Sequence, residues 1–129
     1  MKEKYFKNEY LEMWMEDGIV HAEYATNLII TYEIAKINVS ARLEMSDNQT
    51  YPLFADVSKA KSMTKEARAY LSTPEAIRGI SAGAFLIKTQ IEALLVNAWL
   101  SLYKPSVPTK LFTEKDKAIN WLEQFRRIN

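Results

Sequence analysis

Apolar and polar residues alternate strictly near the start of the chain. Leu11, Met13 and Met15 point to one side, and the residues between them point to the other. The alternation is interrupted once by Asp17-Gly18, a dipeptide that favours a two-residue type I′ turn because both of its residues adopt a positive φ. The pattern predicts an antiparallel β-hairpin near the N-terminus.

After the hairpin the apolar residues recur every three or four positions, which is typical of a helix. Ile30, Ile34, Ile37 and Ala41 are predicted to form its buried stripe, and Thr31 is its predicted N-cap. Further strands and helices then alternate along the chain. They are the strand YPLFADV, a helix capped by Thr64 that restarts in a capping box at Ser72 to Glu75, the strand ISAGAFLI, a long helix, the strand TKLF, and a last helix capped by Thr113.

The predicted order of elements is β-β-α-β-α-β-α-β-α, which is an N-terminal β-hairpin followed by αβαβαβα. Strands that alternate with helices pair in parallel through right-handed crossovers, whereas the hairpin adds an antiparallel strand. We therefore predict the α/β class, with one mixed and mostly parallel sheet covered by helices. A length of 129 residues suits a single domain that spans residues 1–129.

The long helix, IEALLVNAWLSLY, is apolar on two sides. Successive helical residues are about 100° apart, so one apolar face suits the sheet and a second lies opposite, with polar residues such as Asn97 between them. The second face consists of Ala93, Val96, Leu100 and Tyr103. Such a row suggests a contact surface, because an exposed apolar side chain forgoes the free energy of burial.

Three explanations of this second face remain open. It is an interface with a second copy of the chain or another protein, it is covered by the last helix or by the segment around Tyr5 and Phe6, or it lines a pocket for an apolar ligand. We favour the interface, in the form of a homodimer or another protein complex.

Composition and charge narrow the choice of function. With 17 basic and 16 acidic residues the net charge is +1, so no overall field attracts nucleic acid or anionic lipid. The chain has no cysteine, which excludes disulfides, thiolate metal sites and cysteine nucleophiles. It also lacks a signal-peptide pattern and an apolar run of membrane-spanning length. We expect a cytoplasmic protein that neither binds nucleic acid nor spans a membrane.

Residues suited to catalysis are few, and no cofactor is predicted. His21 is the only histidine, whereas a zinc site needs three or four ligands, and we predict that it is a half-buried strand residue. Glu12 and Glu16 flank Trp14 on one strand face and are interpreted as solvated carboxylates of an edge strand. We predict that the protein is not an enzyme and holds no metal.

One loop carries charged and hydroxyl side chains at the carboxyl end of the YPLFADV strand, where ligands bind in open α/β sheets. These side chains precede a helix N-terminus, which attracts anions. An ordinary capped helix behind a solvated loop is the stronger alternative, because no glycine-rich phosphate cradle is present. The candidate anion or partner loop comprises Asp56, Ser58, Lys59, Lys61, Thr64, Lys65 and Glu66.

Two segments, FADVSKAKSMTKEA and KLFTEKDKAINWLEQF, resemble the STAS-like fold of anti-sigma-factor antagonists and the related Sec14-like lipid-binding domains, as does the order of elements. The chain is more similar still to small stand-alone bacterial domains of uncharacterised function in this group. The resemblance implies a bacterial regulatory or protein-interaction module, or alternatively a Sec14-like pocket for an apolar small molecule or lipid. In the antagonists a phosphorylated serine follows the strand-ending pair that Asp56-Val57 matches, but Glu66 stands at its place here. Regulation by phosphorylation is therefore not carried over.

Overall fold

The computed structural model describes residues 2–90, 96–97 and 106–126. The strands are β1 (Glu3–Lys7), β2 (Leu11–Glu16), β3 (Ile19–Tyr24), β4 (Ile29–Ile30), β5 (Tyr51–Asp56), β6 (Ser62–Met63), β7 (Ile80–Leu86) and β8 (Thr109–Phe112). The helices with defined bounds are α1 (Tyr32–Met45), α2 (Lys65–Leu71), α3 (Pro74–Ile77) and α4 (Lys115–Glu123). Six strands form the main sheet in the order β1-β2-β3-β5-β7-β8, and β4 pairs with β6 in a second sheet.

The predicted hairpin and the mostly parallel sheet are confirmed. β2 and β3 pair antiparallel along their whole length. Asp17 and Gly18 form the turn between them with φ angles of 51° and 77°, as a type I′ turn requires. β3, β5, β7 and β8 are parallel neighbours, which is the arrangement expected of strands joined by helical crossovers.

β1 is absent from the predicted order. It pairs antiparallel with β2, and its register is irregular between Glu3 and Phe6. Four of its five residues are exposed, so it leaves no apolar pattern in the sequence and depends on backbone pairing with β2. Because β1 lies outside β2, the interpretation of Glu12 and Glu16 as edge-strand residues is wrong.

α1 begins where predicted but buries a different face. The Thr31 hydroxyl accepts the backbone N–H of Ile34 at 3.3 Å and caps the helix. The predicted buried stripe is wrong at Ile37, which is 48% exposed. The helix is rotated relative to the predicted orientation, because its inward face includes two polar residues, Asn38 and Arg42. The buried residues of α1 are Ala35, Asn38, Val39, Arg42 and Leu43.

The remaining helix caps agree with prediction only in part. The Thr64 hydroxyl accepts a backbone N–H from the first turn of α2 at 3.1 Å, as predicted. α3 begins after Thr73, whose hydroxyl caps it, rather than after Ser72. α4 begins after Glu114, whose side chain makes no capping hydrogen bond, so the predicted cap at Thr113 is wrong.

Helices pack on both faces of the main sheet. One face contacts α1 through an apolar cluster that includes Met13, Val20 and Leu53. Successive strand residues point to opposite faces, so the residues between these form the other face, which packs against α4. That second cluster comprises Ile19, Phe54, Ala82, Ala84, Ala118 and Leu122.

Candidate functional site

Val96 is the one residue of the predicted apolar face that the structure describes. It is helical and 37% exposed. Ala93, Leu100 and Tyr103 lie outside the described residues, so the face as a whole stays a prediction.

Asn97, the neighbour of Val96, is bound to the outermost strand β8. Its Nδ2 donates to the carbonyl of Leu111 at 3.0 Å, and its Oδ1 accepts the N–H of Leu111 at 2.9 Å. The side-chain amide thus satisfies both backbone groups, as a further strand would. Because adjacent helical residues are about 100° apart, the attachment of Asn97 to β8 turns Val96 away from this strand.

In the candidate loop, the hydroxyl groups are already bound within the fold. Asp56 Oδ1 accepts hydrogen bonds from the backbone N–H and the hydroxyl of Ser58, at 2.9 and 2.6 Å. The Thr64 hydroxyl caps α2. The charged side chains of the loop remain exposed, namely Lys59, Lys61, Lys65 and Glu66. The local geometry is that of a capped helix behind a solvated loop, and the anion or partner role stays a prediction.

The two-stranded sheet of β4 and β6 holds this loop in place. β4 pairs in parallel with β6, so Ile29 lies opposite Ser62. Beside it, the backbone N–H of Asn27 donates to the carbonyl of Lys59 at 2.8 Å. The loop is therefore anchored by backbone hydrogen bonds at the carboxyl end of the parallel strands.

Two glutamates beside Trp14 accept hydrogen bonds from aromatic side chains. The Tyr5 hydroxyl donates to Glu12, and Trp14 Nε1 donates to Glu16 at 2.9 Å. These hydrogen bonds stabilise the ionised carboxylates and lower the pKa of Glu12 and of Glu16. A carboxyl group with a lowered pKa is a poor proton donor at neutral pH, so neither residue suits the role of a general acid.

His21 is more deeply buried than predicted, with 5% of its surface exposed. Its ring stacks on Trp14 at a centroid distance of 5.3 Å and meets the edge of Phe54 at 5.7 Å. The Nδ1 atom has no hydrogen-bond partner. Burial lowers the pKa of His21, and Lys115 lowers it further. Among the described residues no three histidine, aspartate or glutamate side chains form a metal-binding group.

His21 predicts how stability depends on pH. The unfolded chain takes up a proton near the ordinary histidine pKa of about 6.5, whereas the folded chain does so only at lower pH. The unfolded state then binds more protons, so the free energy of unfolding falls as the pH drops below about 6.5. We expect His21→Leu to reduce this fall, measured by urea denaturation at pH 8 and pH 5.5. Equal pH dependence in both proteins would contradict the assignment.

Arg42 is a buried cation that closes the end of α3. It is 5% exposed. Its Nη2 donates to the carbonyl of Ala76 at 2.8 Å, and its Nη1 donates to the carbonyl of Arg78 at 3.1 Å. Burial lowers the pKa of Arg42 to about 10, so the group stays charged at neutral pH. Arg42 was not among the predicted site residues, although its spacing of four from Asn38 beside apolar residues is a usable sign of a buried polar pair.

Two surface grooves run along α1. The first, with a volume of about 530 Å³, lies on the outward side of the helix and includes Tyr32 and Ile37. The second, of about 490 Å³, lies between α1 and the following helices. It is bordered by Tyr70, whose hydroxyl donates to Glu75 at 2.6 Å. Burial and this hydrogen bond raise the pKa of Tyr70 to about 12. Charged side chains occur along both grooves, so neither is a purely apolar pocket.

Comparisons with known proteins support the fold and the family. A solved structure of an uncharacterised DUF3478-family protein with a SpoIIAA-like fold, from Shewanella loihica PV-4, matches with a TM-score of 0.62. The match has 11% sequence identity and covers 91% of this chain and 98% of the other. The predicted STAS-like resemblance is thereby confirmed for the fold. No curated protein matches the chain.

Two further findings complete the comparison. None of the helices in the described part of the chain has the length and apolarity needed to span a bilayer. The model of a domain of unknown function, DUF7793, matches residues 13–126. The chain therefore belongs to the DUF7793 family.

Proposed function

We propose that the protein is a non-enzymatic STAS-like regulatory module that acts by binding protein, and that it self-associates through the helix face that contains Val96. The observation that carries this proposal is the orientation of the helix at residues 96–97. Asn97 is bound to β8, and Val96 is exposed to 37% beside it. An apolar residue held at the surface gains roughly 25 cal/mol per Å² when a partner covers it.

The positions of the reactive side chains support a binding role over catalysis. Glu12 and Glu16 accept hydrogen bonds from aromatic donors, and His21 is buried between two rings. The hydroxyls of Ser58 and Thr64 are held by a turn and a helix cap. Each group contributes to the fold at its place, and none of them lines either groove on α1.

The substitution Val96→Glu tests the proposal. A carboxylate placed in an apolar interface must be desolvated without a partner, so we expect the dissociation constant for self-association to rise at least about tenfold. Multi-angle light scattering across a range of concentrations measures the mass directly, against 14.9 kDa for one chain.

The matched control is Ile29→Glu, which places the same charge at another exposed apolar residue, on β4. We expect this variant to retain the mass of the wild type. A wild type that is monomeric at high micromolar concentration would end the self-association proposal. Lipid that co-purifies with such a monomer in native mass spectrometry would instead favour the apolar-ligand alternative.

A further inference from the structure

The outward face of α1 is a stripe with apolar and small residues at its middle and charged residues towards its ends. Its members recur at intervals of three and four, so they lie on one side of the helix. Ile37 is the most exposed of its apolar residues, at 48%. We call this surface the α1 stripe, and it consists of the exposed residues Glu33, Lys36, Ile37, Ser40 and Glu44.

Two of the three charged residues of the α1 stripe, Lys36 and Glu44, are placed symmetrically about Ser40. Lys36 precedes Ser40 by four residues, and Glu44 follows it by four, so each lies about 6 Å from Ser40 along the helix axis. A two-fold axis at Ser40 would place a second α1 antiparallel to the first. Lys36 of each copy would then lie opposite Glu44 of the other, which gives two equivalent ion pairs.

The residues near the axis suit a close approach of two helices. Ser40 is small and stands at the crossing point. Ile37 lies one turn from Ser40 on one flank of the contact, level with position 43 of the second copy, where the facing helix covers part of its exposed surface. The contact therefore covers the most exposed apolar side chain of the stripe while its charges pair at both ends.

The present partners of these charges are weak. Lys36 donates to the Tyr32 hydroxyl at 3.4 Å, a long and exposed hydrogen bond. Glu44 makes no ion pair within the described ranges. Further from the axis, Glu33 would approach Asp47 of the second copy. Within each copy, Asp47 already pairs with Lys4 at 2.6 Å. Lys4 therefore neutralises Asp47, whereas the charge of Glu33 is left over at this end.

We propose that the α1 stripe is a self-association surface that joins two copies of this chain through antiparallel α1 helices centred on Ser40. The proposal depends on α1 alone and is independent of the Val96 face. A single helix pair buries less area than a standard protein interface, so the contact is weak and depends on salt.

Charge reversal provides the test, measured by sedimentation velocity at high micromolar concentration and low ionic strength. In Lys36→Glu every ion pair becomes glutamate against glutamate, and in Glu44→Lys it becomes lysine against lysine. In the Val96→Glu background, which removes the other proposed interface, we expect each variant to dissociate at least about tenfold more readily than the Val96→Glu protein itself. In an equimolar mixture, a dimer of one copy of each variant has a glutamate opposite a lysine at both contacts, so mixing restores association.

Three controls complete the design. The double variant Lys36→Glu/Glu44→Lys regains self-association, and Lys117→Glu, the same charge change on an exposed lysine of α4, leaves it unchanged. Val96→Glu retains the α1 contact, so the failure of one proposal is distinguishable from the failure of the other. Circular dichroism verifies that each variant is folded. The proposal is overturned if, in the Val96→Glu background, the charge-reversal variants associate as the Val96→Glu protein does, or if their mixture associates no more than either variant alone.

Discussion

Replacing Arg42 with leucine is expected to lower the free energy of unfolding by about 3 kcal/mol. The substitution removes two charge-assisted hydrogen bonds, to the carbonyls of Ala76 and Arg78. Such bonds contribute about 1.5 to 3 kcal/mol each, and a buried carbonyl left without a donor adds a desolvation cost. Part of this loss is offset because a charge no longer has to be buried, the penalty that lowers the pKa of Arg42 to about 10.

The matched control is Arg68→Leu. Arg68 also donates to a backbone carbonyl, that of Met63 at 2.9 Å, but its side chain is exposed. Water replaces the lost donor there, so we expect a loss of less than about 1 kcal/mol. Urea denaturation at pH 7 measures both variants. Equal losses would mean that burial adds nothing to the contribution of Arg42 and that α3 is held by other contacts.

Elements whose contacts are local could be predicted from the sequence. Asp17 and Gly18 determine their turn through their own backbone conformations. Thr31 and Thr64 each accept a hydrogen bond from a residue three positions later. Interactions of this kind need no knowledge of the rest of the fold, so the residue types alone indicate them.

Elements that depend on distant partners could not be predicted in this way. β1 is stabilised by pairing with β2 while four of its five residues face solvent, so it has no pattern of its own. The predicted orientation of α1 was wrong at Ile37, because the buried face of the helix includes Arg42, a cation. That burial is possible only because Ala76, 34 residues further along the chain, supplies a carbonyl acceptor.

The candidate surfaces likewise have some features that the local sequence indicates and others that depend on distant partners. Val96 was predicted on an outward face from helical spacing alone; it is 37% exposed, and the face as a whole stays a prediction. The attachment of Asn97 to Leu111 joins residues 14 positions apart and depends on where β8 lies in the sheet. The α1 stripe was missed because its isoleucine was assigned to the core. A sequence pattern identifies an amphipathic helix, but tertiary partners decide which side is buried.

Truncation of Phe54 to alanine is expected to lower the free energy of unfolding by about 3 to 5 kcal/mol. Phe54 is 1% exposed and lies at the centre of the sheet face that packs against α4. Three of its cluster neighbours are alanines, namely Ala82, Ala84 and Ala118. A methyl side chain cannot reach into the space that the ring leaves, so the cavity persists and the loss falls in the upper part of the usual range.

The same truncation at Phe112 serves as the control, because this ring belongs to the same side of the fold but is only half-buried. We expect Phe112→Ala to cost less than half as much as Phe54→Ala, since fewer contacts are removed and water fills part of the space. Guanidinium chloride denaturation measures both, and hydrogen exchange in α4 reports whether the helix loosens locally. A smaller loss at Phe54 than at Phe112 would mean that α4 is anchored by its contacts with β8 and not by the alanine-lined centre of the sheet.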